Sequence, residues 1–267
     1  MLKKPIKELK GKHIAIVAMG NSQLDFHLSL VHSEKYDEVW VINAMIGVVK
    51  DAHRAFIMDP ISRFLDTDDA ADMTEMMREW LPEIDYPIYS CELDDRIPAV
   101  EEYPIEPLIK DTACAYINNT VAYAIAFAYW NKVGTVSMFG SDFTYKHNAY
   151  FAEMGRACCE FWLAKCMEQD IEVSIAVRSN LLDANVDLKD KLYGYHRLAD
   201  PTVSYVKDGK MTICKYSEVV KQNVVPFGIV GRNDLPNETW IERGNVPALP
   251  QDKKLLQGGG PPEPKVP

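Results

Sequence analysis

No apolar run in the chain reaches the roughly 18 residues that a membrane-spanning helix needs. The richest stretch, Ala113 to Trp130, is interrupted by Asn118, Asn119 and Thr120. The spaced glycines of GxGxxG and the Gly-Lys-Ser/Thr of a P-loop are both missing, which argues against an ordinary dinucleotide oxidoreductase or nucleotide kinase. No Asp-x-Asp ends a predicted strand, so no dedicated metal is expected. The aspartates at 66, 68, 69 and 72 lack the glycine and terminal glutamate of an EF-hand and read as a solvated face. Six cysteines, Cys91, Cys114, Cys158, Cys159, Cys166 and Cys214, form no CxxC pair and no Cys/His spacing suited to zinc, and no signal peptide precedes them. Reduced thiols in a cytoplasmic protein are expected, with the adjacent Cys158 and Cys159 buried in a helix rather than reactive. No internal repeat is present.

What the chain does have is enough apolar material for a large core: 267 residues, 47% of them hydrophobic. The net charge of −10 is concentrated rather than spread. Residues 59–106 carry 15 acidic and 3 basic side chains, leaving 24 acidic against 26 basic elsewhere. Nucleic acid is disfavoured as a partner without being excluded, and self-association is left open.

Short apolar runs alternate with longer amphipathic stretches, which predicts an α/β, Rossmann-like fold: a mostly parallel sheet covered by helices. Five or six strands are expected, among them His13–Ala18, Glu38–Ile42, Arg54–Met58, Gly134–Phe139 and Ile171–Ala176, with a short run Pro87–Ser90. Helices are expected over Gln23–His32, Ala70–Leu81, Tyr116–Asn131 and Ala149–Gln169. The interior of the third of these, VAYAIAFAYW, has no charged face and should be buried. The stretch with Pro98, Pro104 and Pro107 reads as loop. Residues 1–188 form the nucleotide-binding domain in this reading, and 189–243 an appendage. Its strands Thr202–Val206 and Met211–Lys215 make a β-hairpin around a type I′ Asp208-Gly209 turn. Residues 244–267, rich in Pro, Gly, Lys and Gln, form a disordered tail.

Small polar residues recur just past the strands, the edge at which doubly wound sheets bind ligands. Gly20-Asn21-Ser22 offers a tight turn and exposed amides to a phosphate; equally, Gly20 permits the turn and Ser22 caps the helix. Gly140-Ser141-Asp142 is followed by Phe143, Thr144, Tyr145, Lys146 and His147. There His147 or Asp142 could take a proton from a hydroxyl, and Lys146 or Tyr145 could neutralise a leaving phosphate. Asn119 and Thr120 either cap the central helix or face a ligand. Asn43 and Asp59 stand at strand ends, where they could contact a base or ribose or simply hold turns.

The order of these elements resembles a Rossmann-like superfamily. The elements are Gly-Asn-Ser after the first strand, Trp40-Val41-Ile42-Asn43 ending the second and Met58-Asp59-Pro60 ending the third. Asn119-Thr120 then opens a central helix, and Gly140-Ser141-Asp142 follows a later strand. That superfamily joins bacterial CMP-sialic acid-dependent sialyltransferases, flagellin-modifying glycosyltransferases of the motility-associated factor type, and 6-hydroxymethylpterin diphosphokinase-like proteins. The resemblance covers about residues 14–183. It implies that Gly20, Asn21 and Ser22 hold the donor phosphate, that Asn43 and Asp59 lie near the sugar or ribose, and that Ser141 and Asp142 face the nucleotide. The loop after the first strand departs from the usual Gly-Asn-Gly-Pro-Ser of sialyltransferases, and His147 is the nearest counterpart of their catalytic histidine.

The function expected is therefore a glycosyltransferase that moves a sugar from a CMP- or UDP-linked donor to a hydroxyl acceptor, such as a glycan, a small molecule or a hydroxymethylated DNA base. The nucleotide-sugar is a co-substrate and no prosthetic group is expected. Two alternatives stand beside it. One is a diphosphokinase that acts on a hydroxymethyl compound, using ATP and Mg²⁺ held by Asp59 and Asp142. The other is a non-catalytic nucleotide-binding or scaffold protein.

Overall fold

The computed structural model describes residues 2–68, 72–144, 148–186, 188–194, 198–200, 202–207 and 210–221. The chain divides into two compact units, residues 1–185 and 186–267. The first is built on a seven-stranded sheet in the order β5-β4-β3-β2-β1-β6-β7, and every neighbouring pair is parallel. The strands are β1 (His13–Val17), β2 (Glu38–Ile42), β3 (Arg54–Phe56), β4 (Ile88–Ser90), β5 (Val100–Glu102), β6 (Thr135–Phe139) and β7 (Glu172–Ile175). This is a doubly wound, Rossmann-like α/β fold.

β1 and β2 are apolar almost throughout because both faces of the sheet are covered. Ile14 and Ile16 point to one face, where α5 (Thr120–Asn131) and α6 (Ala149–Glu168) pack. Ala15 and Val17 point to the other, beneath α1 (Gln23–Val31), α2 (Ile61–Asp66) and α3 (Asp72–Trp80). α5 lies over β2 and β3 with α6 beside it. Its apolar circumference is explained by that position, since Ala122, Ala124, Ile125, Ala126, Phe127, Ala128 and Trp130 are all buried. Phe127 meets the ring of Trp40 at 5.6 Å and that of Tyr89 at 4.8 Å, a cluster that ties the helix to the sheet.

Two expectations are corrected. The proline-bearing stretch is not loop: it forms β5 and then α4 (Ile105–Thr112). Pro104 precedes that helix and Pro107 lies in its first turn, where a missing N–H removes no intrahelical bond. The central helix begins at Thr120 rather than Tyr116, because the Asn119 side chain accepts the Ala122 N–H at 3.0 Å and so fixes the start.

Along the chain the strands step outward from β1 to β5, and then the chain returns to place β6 against the other side of β1. The strand order thus reverses between β1 and β6. Loops leaving the carboxyl ends of two such strands run toward opposite faces and open a crevice.

In the second unit, β8 (Thr202–Lys207) and β9 (Lys210–Lys215) pair antiparallel as a hairpin, with α7 (Leu188–Lys191) before it and α8 (Tyr216–Lys221) after it. The Asp208-Gly209 turn and the tail from 244 onward lie outside the described residues.

Candidate functional site

The loops after β1 and β6 are held together by a buried network. The Ser22 N–H donates to Asp142 Oδ2 at 2.7 Å, and the Ser22 hydroxyl donates to Asp142 Oδ1. That hydroxyl also accepts the Gly140 N–H at 2.8 Å. The Gly20 N–H donates to the Gly140 carbonyl at 2.7 Å. Glycine is required twice in this junction. Gly140 adopts φ +68°, and a Cβ there would stand 1.9 Å from the Ala18 carbonyl oxygen; one on Gly20 would stand 2.6 Å from that of Gly140.

This network revises the expected roles of three residues. Ser22 is fully buried and caps nothing, its hydroxyl being committed to the β6 loop. Of the three amides that the Gly20-Asn21-Ser22 turn offers a phosphate, those of Gly20 and Ser22 already donate within the protein. The anion beside the start of α1 is the protein's own Asp142 carboxylate. Asp142 is only 8% exposed and both its oxygens accept from Ser22, so it positions the loops and is poorly placed to take a proton from an acceptor. Nothing in the sequence pairs residues 22 and 142, and the signal is tertiary.

Around this junction the crevice has two adjoining compartments. One, of about 400 Å³, is lined by Gly20, Asn21, Asn43, Gly140, Ser141 and Asp142 among others. The second, of about 530 Å³, is lined by Asn43, Asp59, Asn118, Asn119 and Thr120, with apolar walls from Met58, Tyr123 and Met154. Ile42, Asn43, Val121 and Phe143 line both. The structure therefore gathers Gly20, Asn21, Asn43, Asp59, Asn119, Thr120, Gly140, Ser141 and Asp142 at one edge of the sheet. Tyr145, Lys146 and His147 lie outside the described residues.

Two polar groups in the crevice are buried without a partner among the described residues: Asn43 Oδ1 and Ser141 Oγ. Ser141 is 3% exposed, and leaving its hydroxyl unpaired costs about 1–3 kcal/mol. Asn43 adopts φ +50°, a conformation asparagine tolerates better than most residues, which turns its side chain off the end of β2. Asn119 has no such spare capacity. Besides capping α5 it donates to Asn118 Oδ1 at 2.8 Å and to the Gly155 carbonyl at 3.2 Å, so the capping role accounts for it. Asp59 is paired with Arg63 at 2.6 Å. At the N-terminus of α5, the N–H groups of Thr120 and Val121 have no intrahelical acceptor and carry the positive end of the helix dipole.

Phe143 and Gly155 both line the crevice, and their pairing was not revealed by the sequence. Phe143 is held at φ +40°, and a Cβ on Gly155 would come within 2.7 Å of its ring. A glycine inside a long helix costs about 1 kcal/mol relative to alanine, and that cost was the available signal that something approaches the helix closely.

Asp59 is engaged by Arg63 and Asp142 by Ser22, and no group of three His, Cys, Asp or Glu among the described residues could hold a metal ion. Burial pushes the Tyr123 phenol up, so it stays protonated. No helix among the described residues is long and apolar enough to cross a membrane.

No protein-family model matches the sequence, and no curated protein matches it. Among solved structures, the chain is similar to the sialyltransferase CstII from Campylobacter jejuni, solved in complex with the substrate analogue CMP-3FNeuAc. The identity is 15%, over 63% of this chain and 82% of that one, with a TM-score of 0.43. At that level the similarity carries no argument about activity.

Proposed function

We propose that the protein is a glycosyltransferase that binds a nucleotide-sugar in the crevice between the β1 and β6 loops. The observation that carries this reading is the pair of unpartnered buried groups, Asn43 Oδ1 and Ser141 Oγ, in one cavity at the point where the strand order reverses. A ligand there must bring a donor for Asn43 and a partner for the Ser141 hydroxyl. A nucleoside, with ribose hydroxyls and a polar base edge, supplies both. Its phosphate would lie by Asn21 and the first amides of α5, while the sugar would extend into the compartment that Asp59 and Thr120 line. The motif resemblance to bacterial sialyltransferases supports the same placement.

In this reading an acceptor hydroxyl attacks the anomeric carbon, forming a new C–O bond. The bond from that carbon to the phosphate oxygen breaks, and the electron pair leaves with the nucleotide. The proton passes to His147 rather than Asp142, whose oxygens are engaged by Ser22. The α5 dipole, with Lys146 or Tyr145, stabilises the departing phosphate. The step requires no metal.

The test is a thermal-shift panel of CMP, UDP, GDP, ADP and ATP with their sugar conjugates, with and without Mg²⁺. A ligand at 100 times its Kd adds about 2.7 kcal/mol of stability. Metal-independent stabilisation by CMP or UDP is expected, weakened about 3–10-fold in affinity by Ser141→Ala or Asn43→Gly, the loss of one neutral hydrogen bond. Neither variant should lower the stability of the unliganded protein, because neither group has a partner to lose. Silence across the panel would reject the reading, and stabilisation by ATP only with Mg²⁺ would move it to diphosphate transfer.

A further inference from the structure

Two faces of α6 carry apolar side chains: the inner one is buried, and the outer one stays exposed among the described residues, with Met154 also at the rim of the larger compartment. The inner face buries Gly155, Cys159, Trp162 and Cys166. The outer face carries Tyr150, Met154, Ala157, Phe161 and Ala164, which alternate in steps of four and three residues and so form one stripe along four turns. Tyr150 is 74% exposed, Phe161 40% and Met154 39%, and both alanines are exposed. Tyr116 stands edge-on to Phe161, with ring centroids 5.6 Å apart and 43% exposure, and widens the patch at one end. A mean spacing of 3.5 residues is the seam of a helix that packs along another helix.

We propose that this stripe joins two copies of the chain, with their α6 helices antiparallel about a twofold axis at Ala157. The sizes of the side chains select this occupant and this orientation. A twofold at Ala157 sets Tyr150 opposite the partner's Ala164, Met154 against the partner's Phe161, and Ala157 against itself. Large side chains meet small ones at both ends, and the two small residues meet at the centre, where the backbones come closest. A parallel pair would instead set Tyr150 against its own copy and alanine against alanine, which alternates clashes with voids.

The area reaches the lower limit of a specific contact. With aromatic side chains presenting about 150–250 Å² each, the exposed parts of this patch amount to roughly 500 Å² per copy. A symmetric contact then buries about 1,000 Å² in total, the size at which a specific interface becomes distinguishable from a chance contact. The same surface serves both subunits, as a closed dimer requires.

Sedimentation equilibrium of the full chain tests the proposal. The wild type is expected to be a dimer at about 100 µM, a concentration suited to a modest interface. Ala157→Glu sets two carboxylates face to face on the axis and should weaken association by about tenfold or more, with an unchanged circular dichroism spectrum. Ala157→Cys, oxidised with copper phenanthroline, should give covalent dimer in excess of the wild type. A monomeric wild type, or an Ala157→Glu variant that dimerises as tightly as the wild type, would overturn the proposal. A monomeric wild type whose melting temperature falls with Ala157→Glu would also overturn it, and would assign the stripe to a segment of the same chain.

Discussion

The hydroxyl of Ser22 donates to the carboxylate of Asp142 across 120 positions of sequence, and through this contact the loops after β1 and β6 become one unit. The same hydroxyl accepts the Gly140 N–H, so Ser22→Ala leaves a buried amide and a carboxylate oxygen each short of a partner. We expect a loss of about 1–3 kcal/mol, read as a lower urea midpoint at unchanged slope. An unchanged midpoint would show that the junction is not held by this residue.

Gly140→Ala should be more damaging. The left-handed backbone alone costs an L-residue about 1–2 kcal/mol, and the new methyl group would lie 1.9 Å from the Ala18 carbonyl oxygen. The β1–β6 pairing would have to shift to relieve that contact. A melting temperature and soluble yield below those of Ser22→Ala are the expected readout. Gly11→Ala is a suitable control, because Gly11 also has a positive φ, +78°, but open space around its Cβ position.

At the opposite end of the strands, Glu38 forms an ion pair with Arg54 at 2.8 Å, their side chains 8% and 14% exposed. Burial alone would raise the Glu38 carboxyl, but hydrogen bonds from Arg54, Trp40 and Lys12 outweigh it and hold the group below its usual 4.5. Its contribution to stability is therefore complete above that value and is lost as pH falls through the lower folded-state value. Glu38→Ala should cost about 3–5 kcal/mol at neutral pH, because it strands a buried guanidinium. The gap between wild type and variant, followed by urea denaturation, should narrow on acidification below pH 4.5. A gap independent of pH would contradict this account.

Thiol labelling should divide the cysteines by burial. Cys158, Cys159 and Cys166 are fully buried. Burial pushes the Cys159 thiol well above its usual value and that of Cys166 up to about 12. Iodoacetamide at pH 8, read by peptide mass spectrometry, should modify exposed Cys91 in the native protein and these three only after denaturation. Native labelling of Cys159 would show that α6 opens.

Much of the fold was legible in the sequence because its signals are local. The apolar run Val39–Ile42 and the charge-free VAYAIAFAYW segment announce a strand and a helix that are buried all round, and the structure places both at the centre. Pro104 and Pro107 misled, since proline marks a helix start as well as a loop and only the packing of Leu108 in the core separates the two. Residues of the site were legible as positions past strand ends, while their partners were not. A sequence gives no distance between Ser22 and Asp142, or between Phe143 and Gly155.

By itself, then, the sequence determined the layered α/β architecture and the edge of the sheet where polar residues collect, because periodicity and turn chemistry act over a few residues. The tertiary structure alone decided which of those residues hold the loops together and which keep an unpaired polar group. That division depends on hydrogen-bond partners brought from more than 100 positions away. Ser22 and Asp142 satisfy each other, and Asn43 and Ser141, chemically no different in kind, are buried without a partner among the described residues.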